Sequence, residues 1–144
     1  MAILWRKSLG TICSVKEYGD DRLLSIEIKL NCKTISLLNV YLPYDDGTNM
    51  DMFQSYLTKI DSIICETPYS CAIGDFNANL ARGNHRFGNE LTKFCNEENL
   101  IMSDKVLGKS DYFTFVSAAH DSFVWLDHII SNHSLHAIDQ QCNG

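Results

Sequence analysis

The chain has 144 residues, 45% of them hydrophobic and 21% charged, with a formal net charge of −6 at pH 7. This composition is typical of one globular domain, and the acidic balance argues against a protein that holds nucleic acid on a basic surface. It leaves open an enzyme acting on phosphodiesters, because a bound divalent cation can supply local positive charge.

The first third of the chain shows strand patterns. Residues 2–5 and 10–16 favour an early strand pair. Residues 23–30 alternate between apolar and polar side chains, which predicts a strand with one buried face. The apolar positions on that face are Leu24, Ile26, Ile28 and Leu30. A turn follows, and residues 34–41 complete a predicted hairpin.

The pattern then changes to the spacing of helices. Residues 51–66 predict an amphipathic helix that ends before Pro68. A short apolar strand is predicted at 69–74, and a second helix at 89–99. Two further predicted strands cover 112–116 and 124–131. Strand pairs followed by interleaved helices predict an α/β fold with mixed sheets covered by helices.

Six cysteines are present, and their spacing contains no C-x2-C pair. We interpret them as small buried side chains rather than as disulfide or zinc partners, as in a reducing compartment. No apolar run is long enough to span a membrane, and the N-terminus lacks the pattern of a secretory signal. We therefore expect an intracellular protein, nuclear or cytoplasmic, with no membrane partner. The sequence carries no signal for its oligomeric state.

The segment Gly-Asp-Phe-Asn-Ala at 74–78 follows a predicted buried strand. Asp75 and Asn77 are two residues apart, so in an extended chain their side chains point the same way, at the strand end where α/β sheets tend to place sites. A carboxylate can orient a water or take its proton, and a carboxamide can bind a phosphate oxygen without adding charge. The alternative interpretation is an Asx turn that closes the strand.

Two further segments carry candidate groups. Tyr41 is followed two positions later by Pro43, which ends a strand because proline cannot donate to the ladder. Its hydroxyl would then face a site, although a packing tyrosine is the alternative. Asp127 stands in an otherwise apolar predicted strand, and a buried carboxylate needs a partner such as a histidine. His128 points to the opposite face and is interpreted as a structural or surface histidine.

Four segments in this order resemble the endonuclease/exonuclease/phosphatase superfamily. They are N-V-Y-L-P around Tyr41, G-D-F-N-A at 74–78, F-T-F at 113–115 and W-L-D-H-I-I-S at 125–131. The residues of these motifs are most similar to those of the apurinic-type endonuclease domains of non-LTR (LINE-type) retrotransposons. The resemblance implies two packed mixed β-sheets flanked by helices, the DNase I-like four-layer sandwich, with residues 1–144 forming part of one such domain.

The resemblance also implies an activity and a set of site residues. Members of this family hydrolyse phosphodiesters with Mg²⁺ or Mn²⁺, and the retrotransposon branch cuts DNA. Tyr41 matches the tyrosine that contacts the scissile phosphate, and Asp75 the acid that activates the attacking water. Asn77 matches the phosphate- or metal-binding neighbour, Asp127 the acid that orients the catalytic histidine, and Thr114 a substrate-side threonine. The remaining histidines match no motif and are predicted on the surface or in loops; they are His85, His120, His133 and His136.

The resemblance is incomplete at both ends. The family's opening asparagine strand and metal-ligand glutamate would precede residues 2–5, and its Ser-Asp-His motif would follow Gly144. Tyr44 stands where relatives often have asparagine. Without these groups Asp127 lacks its histidine and the metal its principal carboxylate, so we expect weak or absent metal binding and impaired cleavage. A non-catalytic remnant or binding module of the same fold, or another phosphoesterase such as a sphingomyelinase, inositol-phosphate phosphatase or deadenylase, stays open as an alternative.

Overall fold

The computed structural model describes residues 1–9, 13–30, 33–81, 85–108, 113–117 and 122–141. In chain order the strands are β1 (Cys13–Glu17), β2 (Leu23–Leu30), β3 (Lys33–Tyr41), β4 (Ser70–Asp75), β5 (Ile101–Met102), β6 (Phe115–Ser117), β7 (Ser122–Val124) and β8 (Asp127–Ser131). The helices are α1 (Met50–Ile64), α2 (Arg86–Glu97), α3 (Ser103–Leu107) and α4 (His133–Gln141), with a 3-10 turn at Lys7–Leu9.

Six strands form a mixed sheet in the order β1-β2-β3-β4-β8-β5, while β6 and β7 form a separate two-stranded sheet. Strands β1, β2 and β3 are joined as antiparallel neighbours. Strand β4 lies parallel to β3, and α1 makes the crossover between them. Strand β8 inserts antiparallel between β4 and the short β5. The predicted α/β class with mixed sheets and covering helices is confirmed.

Helices α1 and α2 form the core against one face of the large sheet. The apolar spacing predicted for the first helix is realised, since α1 buries Phe53, Leu57, Ile60, Ile63 and Ile64. The rings of Phe53 and Phe87 stack with centroids 4.0 Å apart and join the two helices. Leu38 and Ile130 from the sheet belong to the same buried cluster.

The predicted buried face of β2 is wrong in part. Leu23 and Ser25 are 2% and 0% exposed, because they share the helix-covered face with their partners in β3. The alternating apolar residues occupy the opposite face, where Ile26 is buried but Leu30 is 44% exposed. Alternation therefore identified the strand correctly, but the face it predicted to be buried is buried only in part.

Two other predicted strands differ from the structure. Residues 2–5 are not a strand, and β1 pairs with β2 instead. The predicted strand at 124–131 is broken at Trp125 and Leu126. Their carbonyls leave the ladder to accept hydrogen bonds from the loop after β4, at Leu80 and Phe76. Residue 112, at the start of another predicted strand, lies outside the described residues.

The cysteine interpretation is confirmed for two of the four described cysteines. Cys71 and Cys95 are buried, and burial raises the pKa of these thiols to about 11 and about 12. Cys13 is half-buried and Cys65 is exposed, and all four are free thiols. Within the described residues, no helix has the length and apolar character needed to cross a membrane.

Candidate active site at the end of the central strands

Three of the predicted site residues lie side by side across the sheet. Tyr41 at the end of β3 is the pairing partner of Asp75 at the end of β4, and Asp75 is in turn the partner of Asp127 at the start of β8. Cross-strand partners project from the same face of a sheet, so the three side chains form one row on the face that the helices leave open. Residues far apart in sequence are thus brought together at one end of the sheet.

Asp75 is half-buried beside a like charge. Burial raises the pKa of its carboxyl group, and the neighbouring Asp127 carboxylate raises it further. The hydrogen bond from the Asn77 amide and the imidazole of His128 partly oppose these effects. The net result is a carboxylate whose pKa lies above its ordinary value, which makes it a better proton acceptor than a fully solvated aspartate.

Asn77 adopts the left-handed backbone conformation, with φ of 51°. Its backbone N–H donates to Asp75 Oδ1 at 2.8 Å, so the Asx turn considered as the alternative is present. Its side-chain Nδ2 donates to the carbonyl of Leu42 at 2.8 Å. This turn occupies one oxygen of Asp75 and leaves the other, together with the second Nδ2 proton and Oδ1 of Asn77, for a ligand. The structural and the functional interpretations are therefore compatible.

Gly74 allows β3 and β4 to come together just before this turn. Its φ is 143°, and a Cβ at this position would lie 2.2 Å from the carbonyl oxygen of Val40. No side chain fits in that space without moving the backbone. The glycine of the G-D-F-N-A segment is therefore required by the packing of the sheet directly next to Asp75.

The loop after Asp75 is held against the segment that leads into β8. Phe76 N–H donates to the Leu126 carbonyl at 2.9 Å, and the Phe76 side chain is fully buried. Asn79 is 3% exposed, and its Oδ1 accepts from the Ala81 amide at 3.0 Å. Asn79 was not predicted as a site residue; its position within the asparagine-rich turn was the available signal.

Asp127 is exposed rather than buried, which corrects the premise that it needs an interior partner. Asp127 begins β8 directly after the non-strand residues Trp125 and Leu126, and water solvates its exposed carboxylate. Thr114 holds this corner, because its Oγ1 accepts from the backbone amides of Leu126 and Asp127 at 3.0 and 3.1 Å. Thr114 thus lies beside Asp127, and its hydroxyl proton remains for donation.

Tyr41 is 51% exposed and lies next to a cation. The guanidinium carbon of Arg22 is 5.5 Å from the centre of the Tyr41 ring, and Arg22 Nη1 donates to the Tyr41 carbonyl at 3.1 Å. This arginine places a positive charge at one end of a row that otherwise carries two carboxylates. Arg22 was not identified from the sequence, where no motif includes it.

His128 is structural and buried, as one of its two predicted alternatives stated. Its Nδ1 lies 2.8 Å from Asp104 Oδ2, and its Nε2 lies 2.7 Å from the Ala78 carbonyl oxygen. His85 has a defined role too, since its Nδ1 accepts from Gly88 N–H as the N-cap of α2. His133 is exposed, His136 is half-buried, and His120 lies outside the described residues.

An open pocket of about 530 Å³ adjoins Asp127. Its lining is mostly apolar, and the polar residues that line it include Asp104, Thr114, Asp127 and His128. Of the predicted site residues, Asp127 and Thr114 line this pocket, whereas Tyr41, Asp75 and Asn77 lie outside it. The row of three and the pocket meet at Asp127.

The fit of a divalent cation to these residues is partial. Carboxylate oxygens are suitable ligands, and Asp75 and Asp127 provide two adjacent carboxylates. Within the described part of the chain, no group of three or more His, Cys, Asp or Glu side chains is placed to hold a metal ion. A cation bound here would keep most of its ligands as water.

No protein-family model matches the chain. Its fold does match solved structures. The endonuclease domain of TRAS1, a telomere-specific non-LTR retrotransposon, superposes with a TM-score of 0.64 and 19% identity over 84% of this chain. The AP endonuclease LMAP from Leishmania major gives 0.61 and 16% over 91%. The 3′ phosphatase NExo from Neisseria, bound to a product DNA hairpin, gives 0.62 and 13% over 87%.

These likenesses define the fold class. The chain has the DNase I-like fold, with a mixed six-stranded sheet, covering helices and a second sheet of two strands. Its structural neighbours are endonuclease/exonuclease/phosphatase proteins, a retrotransposon endonuclease domain among them, as the sequence motifs predicted. The chain covers 54%, 55% and 59% of the TRAS1, LMAP and NExo structures, respectively.

Proposed function

We propose that this chain is part of a metal-dependent phosphodiesterase domain that cuts DNA, of the kind carried by non-LTR retrotransposons. The observation that supports this most is the row formed by Tyr41, Asp75 and Asp127 on three neighbouring strands. A fold shared with nucleases adds support, but the fold alone does not carry function. The chemistry must come from the row and the turn at Asn77.

The roles follow from the environment of each group. Asp75 has one oxygen engaged by the Asn77 amide and a raised pKa, so its other oxygen suits the removal of a proton from an attacking water. Asn77 retains an N–H that can bind a phosphate oxygen. Tyr41 would donate its hydroxyl proton to the scissile phosphate, and Thr114 would contact the substrate beside Asp127. Mg²⁺ or Mn²⁺, when bound, would stabilise the charge that develops on phosphorus and on the leaving oxygen.

We further propose that the chain as given cleaves poorly. Two carboxylates hold a hard cation weakly, and adjacent like charges oppose each other unless a cation lies between them. No described histidine side chain is hydrogen-bonded to Asp127. DNA would therefore be the substrate of the complete domain, and this chain would contribute the Asp75 half of its site.

Conversion of supercoiled plasmid to open circles tests the function. The purified chain is assayed in Mg²⁺ and in Mn²⁺ beside Asp75→Asn, which keeps the acceptor of the Asx turn and removes the charge. Slow conversion that requires the metal and disappears with Asp75→Asn would support the proposal. Cleavage that persists in Asp75→Asn would refute the assigned role of that carboxylate.

A non-catalytic binding module is the second candidate, favoured by the small number of grouped metal ligands among the described residues. In that case the chain would bind DNA without nicking it, and Mg²⁺ would not change the affinity. Fluorescence anisotropy with a labelled duplex, with and without Mg²⁺, separates the two candidates. Metal-strengthened binding that is lost in Asp127→Asn favours the enzyme, whereas metal-independent binding favours the module.

A further inference from the structure

His128 is the one polar member of the largest fully buried side chains in the described part of the protein. The reaction proposed above gives it no role. A polar ring of this size is costly to bury unless both nitrogens are hydrogen-bonded. Both nitrogens of His128 are bonded, one to Asp104 and the other to the backbone of Ala78.

The identity of one partner sets the direction of one hydrogen bond. A backbone carbonyl only accepts, so Nε2 donates its proton to the oxygen of Ala78. On the other side, Nδ1 lies 2.8 Å from Asp104 Oδ2. Oδ1 of Asp104 is buried without a hydrogen-bond partner among the described residues, so the bond to His128 is what orients this carboxyl group.

The bond to Ala78 joins the two segments that carry the proposed catalytic groups. Ala78 follows Asn77 directly, and His128 follows Asp127. The same two segments are also joined by backbone bonds on either side, from Phe76 N–H at 2.9 Å and from Leu80 N–H at 3.4 Å. The His128 bond lies between them and is the shortest of the three, at 2.7 Å. Unlike the backbone bonds, it depends on the identity of one side chain.

We propose that His128 is a positioning residue that, oriented by Asp104, holds the Asp75–Asn77 turn in register with Asp127. This inference rests on the proposed function for its catalytic meaning. The structural part of the inference does not depend on that function. The hydrogen bond from His128 to the Ala78 carbonyl holds the left-handed backbone of the preceding residue, Asn77, in place. The His128 side chain is 0% exposed, so it would not touch the substrate.

Amide hydrogen exchange followed by NMR tests the proposal on the free chain. The amide of Asn77 reports the turn, because it donates to Asp75, and the amides of β2 and β3 report global unfolding. His128→Leu removes both ring nitrogens and leaves the Ala78 carbonyl unsatisfied. We expect exchange at Asn77 to accelerate about 10-fold or more beyond any change in β2 and β3.

Two further variants distinguish positioning from general packing. His128→Gln retains an N–H at the place of Nε2, and it is expected to restore most of the protection at Asn77. Asp104→Ala keeps the ring but removes its hydrogen bond to α3, and we expect it to accelerate exchange at Asn77 by a smaller factor. This variant also tests the proposal if His128→Leu does not fold. His133→Leu, at an exposed histidine, is the matched control and should change neither reporter.

The outcomes separate this inference from the proposed function. Equal acceleration in the turn and in β2 and β3, or no restoration by His128→Gln, would overturn the positioning role. If the wild-type chain does not nick plasmid in either metal, this chain has no cleavage activity of its own, while the exchange pattern still decides the role of His128. If it does nick, we expect His128→Leu to lower kcat about 10-fold or more with little change in KM.

Discussion

The two faces of the six-stranded sheet differ in what covers them and in what they carry. One face packs Leu38 and Ile130 against α1 and α2, in a cluster that is almost completely buried. The other face carries Tyr41, Asp75 and Asp127 at one end, and it leaves Ile73 42% exposed in the middle. The same strands supply both faces, because successive residues point to opposite sides.

This difference separates stability from chemistry. The helix-covered face buries apolar area and therefore supplies most of the free energy of folding. The open face bears two adjacent carboxylates, an arrangement that costs stability and is retained where charges are needed. Substitutions on the two faces should therefore change the free energy of unfolding by different amounts. At Asp75 the change should also be in the opposite direction.

The largest difference is expected between two isoleucines on neighbouring strands. Ile130→Ala empties a fully buried position and should lower the free energy of unfolding by about 2–5 kcal/mol. Ile73→Ala, at a position 42% exposed, should cost less than about 1 kcal/mol. Urea denaturation followed by circular dichroism measures both, and equal losses would mean that the open face is covered in solution.

A second contrast concerns backbone space beside the site. Gly74→Ala places a methyl group 2.2 Å from the Val40 carbonyl at a left-handed φ, and it should cost about 2–3 kcal/mol. Gly19→Ala is the control, since Gly19 also has a positive φ, 66°, but has open space around it. We expect about 1 kcal/mol there, from the backbone alone. Similar thermal midpoints for the two variants would contradict the close approach of β3 and β4.

The third prediction is one of sign. The folded pKa of Asp75 is raised, so its ionisation opposes folding: the free energy of unfolding falls as pH rises from the unfolded value through the folded pKa, and stays lower above it. Asp75→Asn should therefore stabilise the chain at pH 7 and have no such effect below the unfolded pKa. Thermal unfolding across this pH range measures the difference.

Asp20 provides the matched control of opposite sign. Burial alone would raise its pKa, but hydrogen bonds from the Arg22 amide and from Lys59 outweigh burial and lower it. Its stabilisation is present above the unfolded pKa and is lost as pH falls through the folded pKa. Asp20→Asn should thus destabilise the chain at pH 7. If Asp75→Asn and Asp20→Asn shift the thermal unfolding midpoint at pH 7 in the same direction, the environment described for Asp75, half-buried beside the Asp127 carboxylate, is incorrect.

The smallest effect is expected at Tyr41. Removing its hydroxyl in Tyr41→Phe should leave the free energy of unfolding within about 0.5 kcal/mol, because half of the side chain is solvated. Plasmid nicking, if present, should fall at the same time. A marked loss of stability would show that Tyr41 is a packing residue, the alternative considered from the sequence.

Local patterns were sufficient for much of the fold. Strands β2, β3 and β4 and helix α1 follow from alternation, helical spacing and Pro68, with their limits displaced by a few residues. Alternation does not show which layer covers a strand, so the burial of Leu23 and Ser25 on the other face of β2 was not predicted. The break at Trp125 was also missed, because it depends on hydrogen bonds to a loop remote in sequence.

The candidate site divides in the same way. Tyr41, Asp75 and Asp127 were found through motifs, and the structure adds that their strands are paired in register. The sequence could not predict the contact of His128 with Asp104 or its positioning role, because both depend on knowing the two hydrogen-bond partners of the buried ring. Asp127 was expected in the interior because the break before β8 was not foreseen.

The order of strands also has a consequence for folding kinetics. Strands β2 and β3 are separated by only two residues and can pair early. In contrast, β3 joins β4 through a helical crossover, and β8 reaches β4 from much later in the chain. Closing such long loops costs chain entropy before any contact is gained, so these pairings form late. The row of Tyr41, Asp75 and Asp127 is completed by the last of them, and a partly folded chain therefore has a hairpin and a helix well before it has a site.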